Sequence, residues 1–177
     1  MNFSELVILL RADLVRLDPS GVRANWWKLI SPRFVPVLVV RLSRYCFLSR
    51  GLRIFSPFLT WFNVVIFGLE FTPRCEVAAG LMLPHTVGTV VGASKIGRNA
   101  TLFQGVTLGA KFADIRFTPA TRPVVGDDVT IGAGAKVLGG ISIGAGAVVA
   151  ANSLVLIDVE PGFLAIGVPA TSHLARA

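Results

Sequence analysis

Apolar residues recur along this chain with two different periods. Near the start, Phe3, Leu6, Leu10, Leu14 and Leu17 are spaced by three and four, which is one face of an α-helix. Asp18-Pro19-Ser20-Gly21 supplies turn chemistry that ends it. A second apolar stretch, Val35–Phe47, reads as a helix with Arg41 and Arg44 on its wet side. A third, Ile54–Leu69, carries no charge and contains Pro57 and Asn63. Its 16 residues fall short of the roughly 20 that a bilayer span needs. A packed helix is therefore expected there, with a peripheral membrane patch or a transmembrane helix as alternatives.

Beyond residue 70 the period becomes six. Ile96-Gly97-Arg98-Asn99-Ala100-Thr101 is followed by Leu102–Thr107, and the pattern resumes with Val125–Thr130, Ile131–Lys136, Val137–Ser142, Ile143–Val148 and Val149–Leu154. Weaker units start at Phe71, Val77 and Leu83. Position one is aliphatic, position two is mostly Gly, and position five is small or β-branched. Six residues suit neither a helix nor a hairpin sheet; they suit a parallel β-helix, with position one inward and Gly or Asn supplying turn angles. Two interruptions stand out. The register slips by one residue between Leu83 and Val90, around His85 and Gly88. Between Gly109 and Val125 the segment Ala110–Val124 leaves the coil as a protruding loop (110–124).

Composition sharpens this division. Of 177 residues, 53% are hydrophobic and 15% charged, which excludes a disordered tail or a coiled coil. Two cysteines exclude a disulfide scaffold and suit a reducing cytoplasm. Two histidines exclude a site needing three imidazoles from one chain. Residues 1–69 hold nine Lys/Arg against three Asp/Glu, and residues 70–177 hold eight against seven. Two regions are expected: a basic helical part over 1–69 and a neutral β-helix over 70–177. The net charge of +7 would suit nucleic acid, an anionic membrane or a phosphorylated ligand, but no nucleic-acid module accompanies it. No signal peptide is evident.

The stretch Gly80-Leu-Met-Leu-Pro-His85-Thr-Val-Gly88-Thr-Val-Val-Gly92, with Gln104–Gly109, Ile131–Gly139 and Gly167-Val-Pro-Ala170, resembles the hexapeptide-repeat acyltransferases, specifically the serine O-acetyltransferase branch. The resemblance implies a left-handed β-helix, acetyl-CoA as co-substrate, no metal, and a homotrimer that could pair into a dimer of trimers. It implies that His85 is the general base, paired with the acidic residue 15 positions upstream, here Glu70 where the family usually has Asp. Such a base would let an acceptor hydroxyl attack the thioester directly. Coenzyme A would lie in a groove between subunits, against Gly109, Ala110, Ala133 and Ala151, with Lys111 and Arg176 toward its phosphates.

Two positions depart from the serine enzymes. Pro84 stands where they have Asp before the histidine, and Arg122 stands where they have a loop histidine before a proline. Both belong to the substrate-binding set. The Leu-Pro-His form resembles members that acetylate sugars in surface-polysaccharide assembly, so a lipid-linked sugar hydroxyl is the expected acceptor. A cytoplasmic enzyme, touching the membrane through residues 1–69, is the matching expectation. Serine O-acetylation, amino-sugar N-acetylation and a non-catalytic structural β-helix are the alternatives.

Overall fold

Each hexapeptide forms one side of a three-sided coil. The computed structural model describes residues 1–18, 26–112 and 116–174; the turn read at Pro19–Gly21 and Arg176 lie outside them. Three helices come first: α1 (Phe3–Arg16), α2 (Val35–Leu48) and α3 (Ser56–Phe67). The coils follow. The first contains β1 (Leu69–Phe71) and β2 (Glu76–Val77). The second contains β3 (Thr89–Val91), β4 (Lys95–Ile96) and β5 (Thr101–Leu102). The third contains β6 (Thr107–Gly109), β7 (Val124–Val125) and β8 (Thr130–Ile131). The fourth contains β9 (Lys136–Leu138), β10 (Ser142–Ile143) and β11 (Val148–Val149). Then come β12 (Leu154–Val155), β13 (Phe163–Gly167) and β14 (Ala170–Leu174).

Strands from successive coils stack in parallel into three faces. Face A is β1-β3-β6-β9-β12, face B is β2-β4-β7-β10, and face C is β5-β8-β11-β13-β14. Only the last pair on face C, β13 with β14, is antiparallel. Position-one residues Phe71, Val77, Leu83, Ile96, Leu102, Leu108, Val125, Ile131, Val137, Ile143 and Val149 are all buried, as are Cys75, Ala100, Val106, Val129, Ala135 and Ala147 at position five. This inward ladder is the core that drives coiling.

Glycine has two roles rather than the single one expected. Position two lies where the next coil passes close: a Cβ on Gly132 would sit 2.7 Å from the Ala151 nitrogen, and one on Gly126 would sit 2.8 Å from that of Ala145. The left-handed angles fall instead at position four, occupied by Asn99, Asp128 and Asn152 as well as Gly134.

The helical layer departs from its sequence reading in two places. Helix α1 opens with a capping box between Asn2 and Glu5 and buries Leu6 and Leu14, but Phe3 stays 67% exposed. In α2 the arginines are not on the wet side. Arg41 is 1% exposed and Arg44 is half-buried. Both share a face with the buried Val37 and Val40, and backbone carbonyls of the first coil receive them: Arg44 donates to Pro73 and Cys75 oxygens at 3.0 and 2.7 Å. Helix α3 is turned inside out. Ser56 and Asn63 are its buried residues, while Phe58 and Trp61 are 69% and 65% exposed. No helix among the described residues is long and apolar enough to cross a membrane.

Candidate functional site

His85 sits in a bulge at the corner between faces C and A. Met82 is in register with Thr101, and the Gly105 N–H donates to Val87 O at 3.1 Å, which aligns Gly88 with Gly105. Four residues separate Leu83 from Gly88, but only two separate Leu102 from Gly105. The slip is thus two residues rather than one, and Pro84-His85-Thr86-Val87 must arch outward. The arch is tied down on both sides of the histidine: the Thr86 hydroxyl donates to Phe67 O at 2.8 Å, and Gly88 N–H donates to Gly68 O at 2.9 Å. His85 itself is exposed and makes no hydrogen bond or ion pair among the described residues.

Ala133 and Ala151 stand at this same corner. Thr101, Thr130 and Val148 share one ladder with Met82. Ala133 and Ala151 each follow their ladder residue by three positions, as His85 follows Met82.

Glu70 occupies the middle of β1 with its side chain outward between buried Leu69 and Phe71. It heads an outward column on face A, running Glu70, Val90, Thr107, Lys136, Leu154. No hydrogen bond joins Glu70 to His85 within the chain. Glu70 instead lines a cleft of about 990 Å³ between face A and the loop after β6. Gly109, Ala110, Lys111 and Arg122 line that cleft too, so five of the residues read from sequence converge there.

Of the lining residues that the sequence reading did not name, Arg74, Arg116 and Phe117 matter most for the charge of the cleft. Arg122 lies 4.4 Å over the Phe117 ring and donates to Gly92 O at 2.8 Å; Arg74 approaches the same ring at 5.8 Å. Arg116 also lines the cleft. Its lining therefore has four cations and, among the described residues, one carboxylate, Glu70. A loop basic pair either side of an aromatic, Arg116-Phe117 with Arg122, was the available signal.

The cleft suits coenzyme A by its chemistry. A Cβ on Gly109 would meet nothing within 4 Å, so the strand end is open, and Lys111, Arg116 and Arg74 place positive charge beside it, of the kind that could hold phosphates. Among the described residues no group of His, Cys, Asp and Glu could hold a metal ion. Cys75 is buried away from the cleft, and burial pushes its thiol up to about 12, which disfavours the thiolate.

Residues 122–156 match the family described as bacterial transferase hexapeptide (six repeats). The chain is 34% identical over 159 residues to the serine acetyltransferase of Helicobacter pylori, covering 85% of this chain and 86% of that one. Among solved structures, serine acetyltransferase from Neisseria gonorrhoeae in complex with serine superposes with a TM-score of 0.81 at 31% identity, covering 97% of this chain and 70% of that one. The Brucella abortus enzyme in complex with coenzyme A gives 0.82 at 29% identity, covering 96% and 68%.

These relatives overturn the expected sugar acceptor of polysaccharide assembly. That expectation rested on Pro84 and Arg122, and relatives matching along most of the chain are serine acetyltransferases. The chain belongs to the serine acetyltransferase branch of the hexapeptide-repeat, left-handed β-helix acyltransferases, and it is an acetyl-CoA-dependent O-acetyltransferase.

Proposed function

We propose that the acceptor is serine and that the site is completed between subunits of a homotrimer. The observation carrying the first part is the 34% identity with serine acetyltransferase over 85% of the chain. The cationic cleft supports it: a free amino acid brings a carboxylate, and the lining gathers Arg74, Lys111, Arg116 and Arg122.

The chemistry follows from the groups present. A serine hydroxyl is a weak nucleophile until a base takes its proton. His85 accepts that proton as the oxygen attacks the thioester carbonyl. The carbon–sulfur bond then breaks, and the departing thiolate takes the proton from the imidazolium, giving O-acetylserine and coenzyme A. Glu70 stabilises the imidazolium or orients the amino acid. Pro84 shapes the arch that presents the base.

The corner geometry supports the trimer. His85, Ala133 and Ala151 border face A on one side, while Gly109, Lys111 and Arg122 border it on the other. The four residue steps from Gly88 to Gly92 span about 13 Å of strand. A neighbouring copy offers its loop cleft to the exposed His85 across a shared groove. Two unpaired cysteines, Cys46 and Cys75, fit a cytoplasmic setting.

The test is a screen of coenzyme A release with serine, threonine, homoserine and a sugar panel. Serine is expected to give the highest kcat/KM. A sugar exceeding serine overturns the assignment.

A further inference from the structure

Helix α3 presents an apolar face outward, and its orientation is fixed by polar contacts on the inner side. The Ser43 hydroxyl lies 3.1 Å from that of Ser56 and 3.0 Å from that of Thr60, and Asn63 Nδ2 donates to Pro36 O at 3.2 Å. Rotating α3 to bury its aromatics would strand these groups without partners. Phe58, Trp61, Phe62, Val65 and Ile66 therefore remain outside, contiguous with exposed Ile54 and Phe55 just before the helix. An apolar surface of this kind on an otherwise folded chain marks an interaction site.

We infer that α3 is a peripheral membrane-docking helix that lies flat on an anionic phospholipid bilayer. Its 12 residues extend about 18 Å, too short to span a hydrocarbon core of about 30 Å. Charge selects the partner. Arg50 and Arg53 are exposed immediately before α3, and Arg53 stacks over Phe47 at 4.7 Å while lining the same groove as Trp61. The acids of the helical layer are already engaged: Asp13 with Arg41, Asp18 with Lys28, and Glu5 with Asn2 and the amino terminus. The one carboxylate lining this groove among the described residues is Glu70, which the proposed reaction already uses, so a second copy of this surface would meet Arg50 and Arg53 mainly with its own arginines. Anionic lipid headgroups bring the phosphates that arginine forks bind, and acyl chains take the aromatic side chains.

The experiment is flotation of the full chain with vesicles of phosphatidylcholine alone or with 30% phosphatidylglycerol, alongside Phe58→Ser/Trp61→Ser and Arg50→Glu/Arg53→Glu variants. Coenzyme A release in detergent-free buffer serves as the folding check, since none of these residues belongs to the catalytic set. The wild type should float with the anionic vesicles and lose most binding in 0.5 M salt. Each double variant should stay at the bottom while retaining turnover. Wild type that remains at the bottom with anionic vesicles overturns the proposal, as does flotation undiminished in both variants. Light scattering separates the other occupant: a smaller assembly for Phe58→Ser/Trp61→Ser, with no wild-type flotation, makes the face a contact between copies instead.

Discussion

Asp13 and Arg41 form a bidentate buried ion pair between α1 and α2, with Nε–Oδ2 at 2.8 Å and Nη2–Oδ1 at 2.9 Å. Neither end of it stops at the partner. Arg41 also donates to the Val77 and Ala78 carbonyls at 2.7 and 2.6 Å, and Asp13 Oδ1 accepts the Gly80 and Leu81 N–H groups at 2.9 Å each. The pair therefore rivets both helices to the first coil, a few residues before His85.

Removing one member leaves a buried charge without its counterion. Asp13→Ala is expected to cost about 3–5 kcal/mol in urea unfolding, and Arg41→Ala a similar amount. The doubly apolar Asp13→Leu/Arg41→Met should recover part of that loss. A single variant within about 0.5 kcal/mol of wild type contradicts the rivet.

His85→Ala should lower coenzyme A release by about 10²–10⁴-fold. Because the imidazole is exposed and makes no hydrogen bond or ion pair among the described residues, the melting temperature should hold. Glu70→Gln should cost less than His85→Ala. Turnover close to wild type in His85→Ala would remove the histidine from the reaction.

Arg122→Leu deletes a cation from the cleft while leaving the coil core untouched. A charged hydrogen bond is worth about 1.5–3 kcal/mol, so KM for serine should rise by about tenfold or more, with a smaller change in kcat. Arg122→His, which installs the residue the resembling serine enzymes carry there, should lie between. An unchanged KM in Arg122→Leu separates this arginine from the acceptor.

Asp127 couples two coils, accepting the Arg98 N–H at 2.7 Å and its guanidinium at 2.8 Å. First the backbone bond and then the side chain hold this carboxyl below its usual range. A depressed folded value makes its contribution full above the unfolded value of about 3.9, and the contribution fades as pH falls through the folded one. Asp127→Asn should therefore be less stable than wild type at pH 7, and the two curves should converge below about pH 4. A constant gap across that range rules out the linkage.

The Cys75 thiol, buried and pushed up to about 12, should resist Ellman's reagent at pH 8 until denaturant is added. Cys75→Ala should retain acetyl transfer. Loss of turnover with an intact fold in that variant implies an acyl-enzyme.

The sequence made the coil legible because a six-residue ladder has a single physical solution, and Ile96, Leu102 and Ile131 fall inward where the period puts them. The cleft was legible in its residues but not in its division: only strand register shows that Ala133 sits at the His85 corner and Gly109 at the opposite one. The helical layer was the least legible. Periodicity assumes apolar residues turn inward, and α3 breaks that assumption through Ser56 and Asn63. Arg41 falls four residues after Val37 on the buried face, yet its acceptor Asp13 lies on another helix, so no local pattern announces the pair. The acceptor was misread because Pro84 and Arg122 were weighed as losses, although an arginine can do a histidine's recognition work toward a carboxylate.

The loop after β6 has one more consequence. Thr130 and Val148 pair at the ordinary coil interval, whereas Thr107 and Lys136 pair across a longer one. Both intervals nevertheless return the chain to the same ladder, so the excess residues are spliced into the coil without shifting anything downstream. Recognition and architecture are thereby uncoupled in inheritance. Changes in the length of this loop alter the lining of the cleft, while the ladder on either side of it keeps its register.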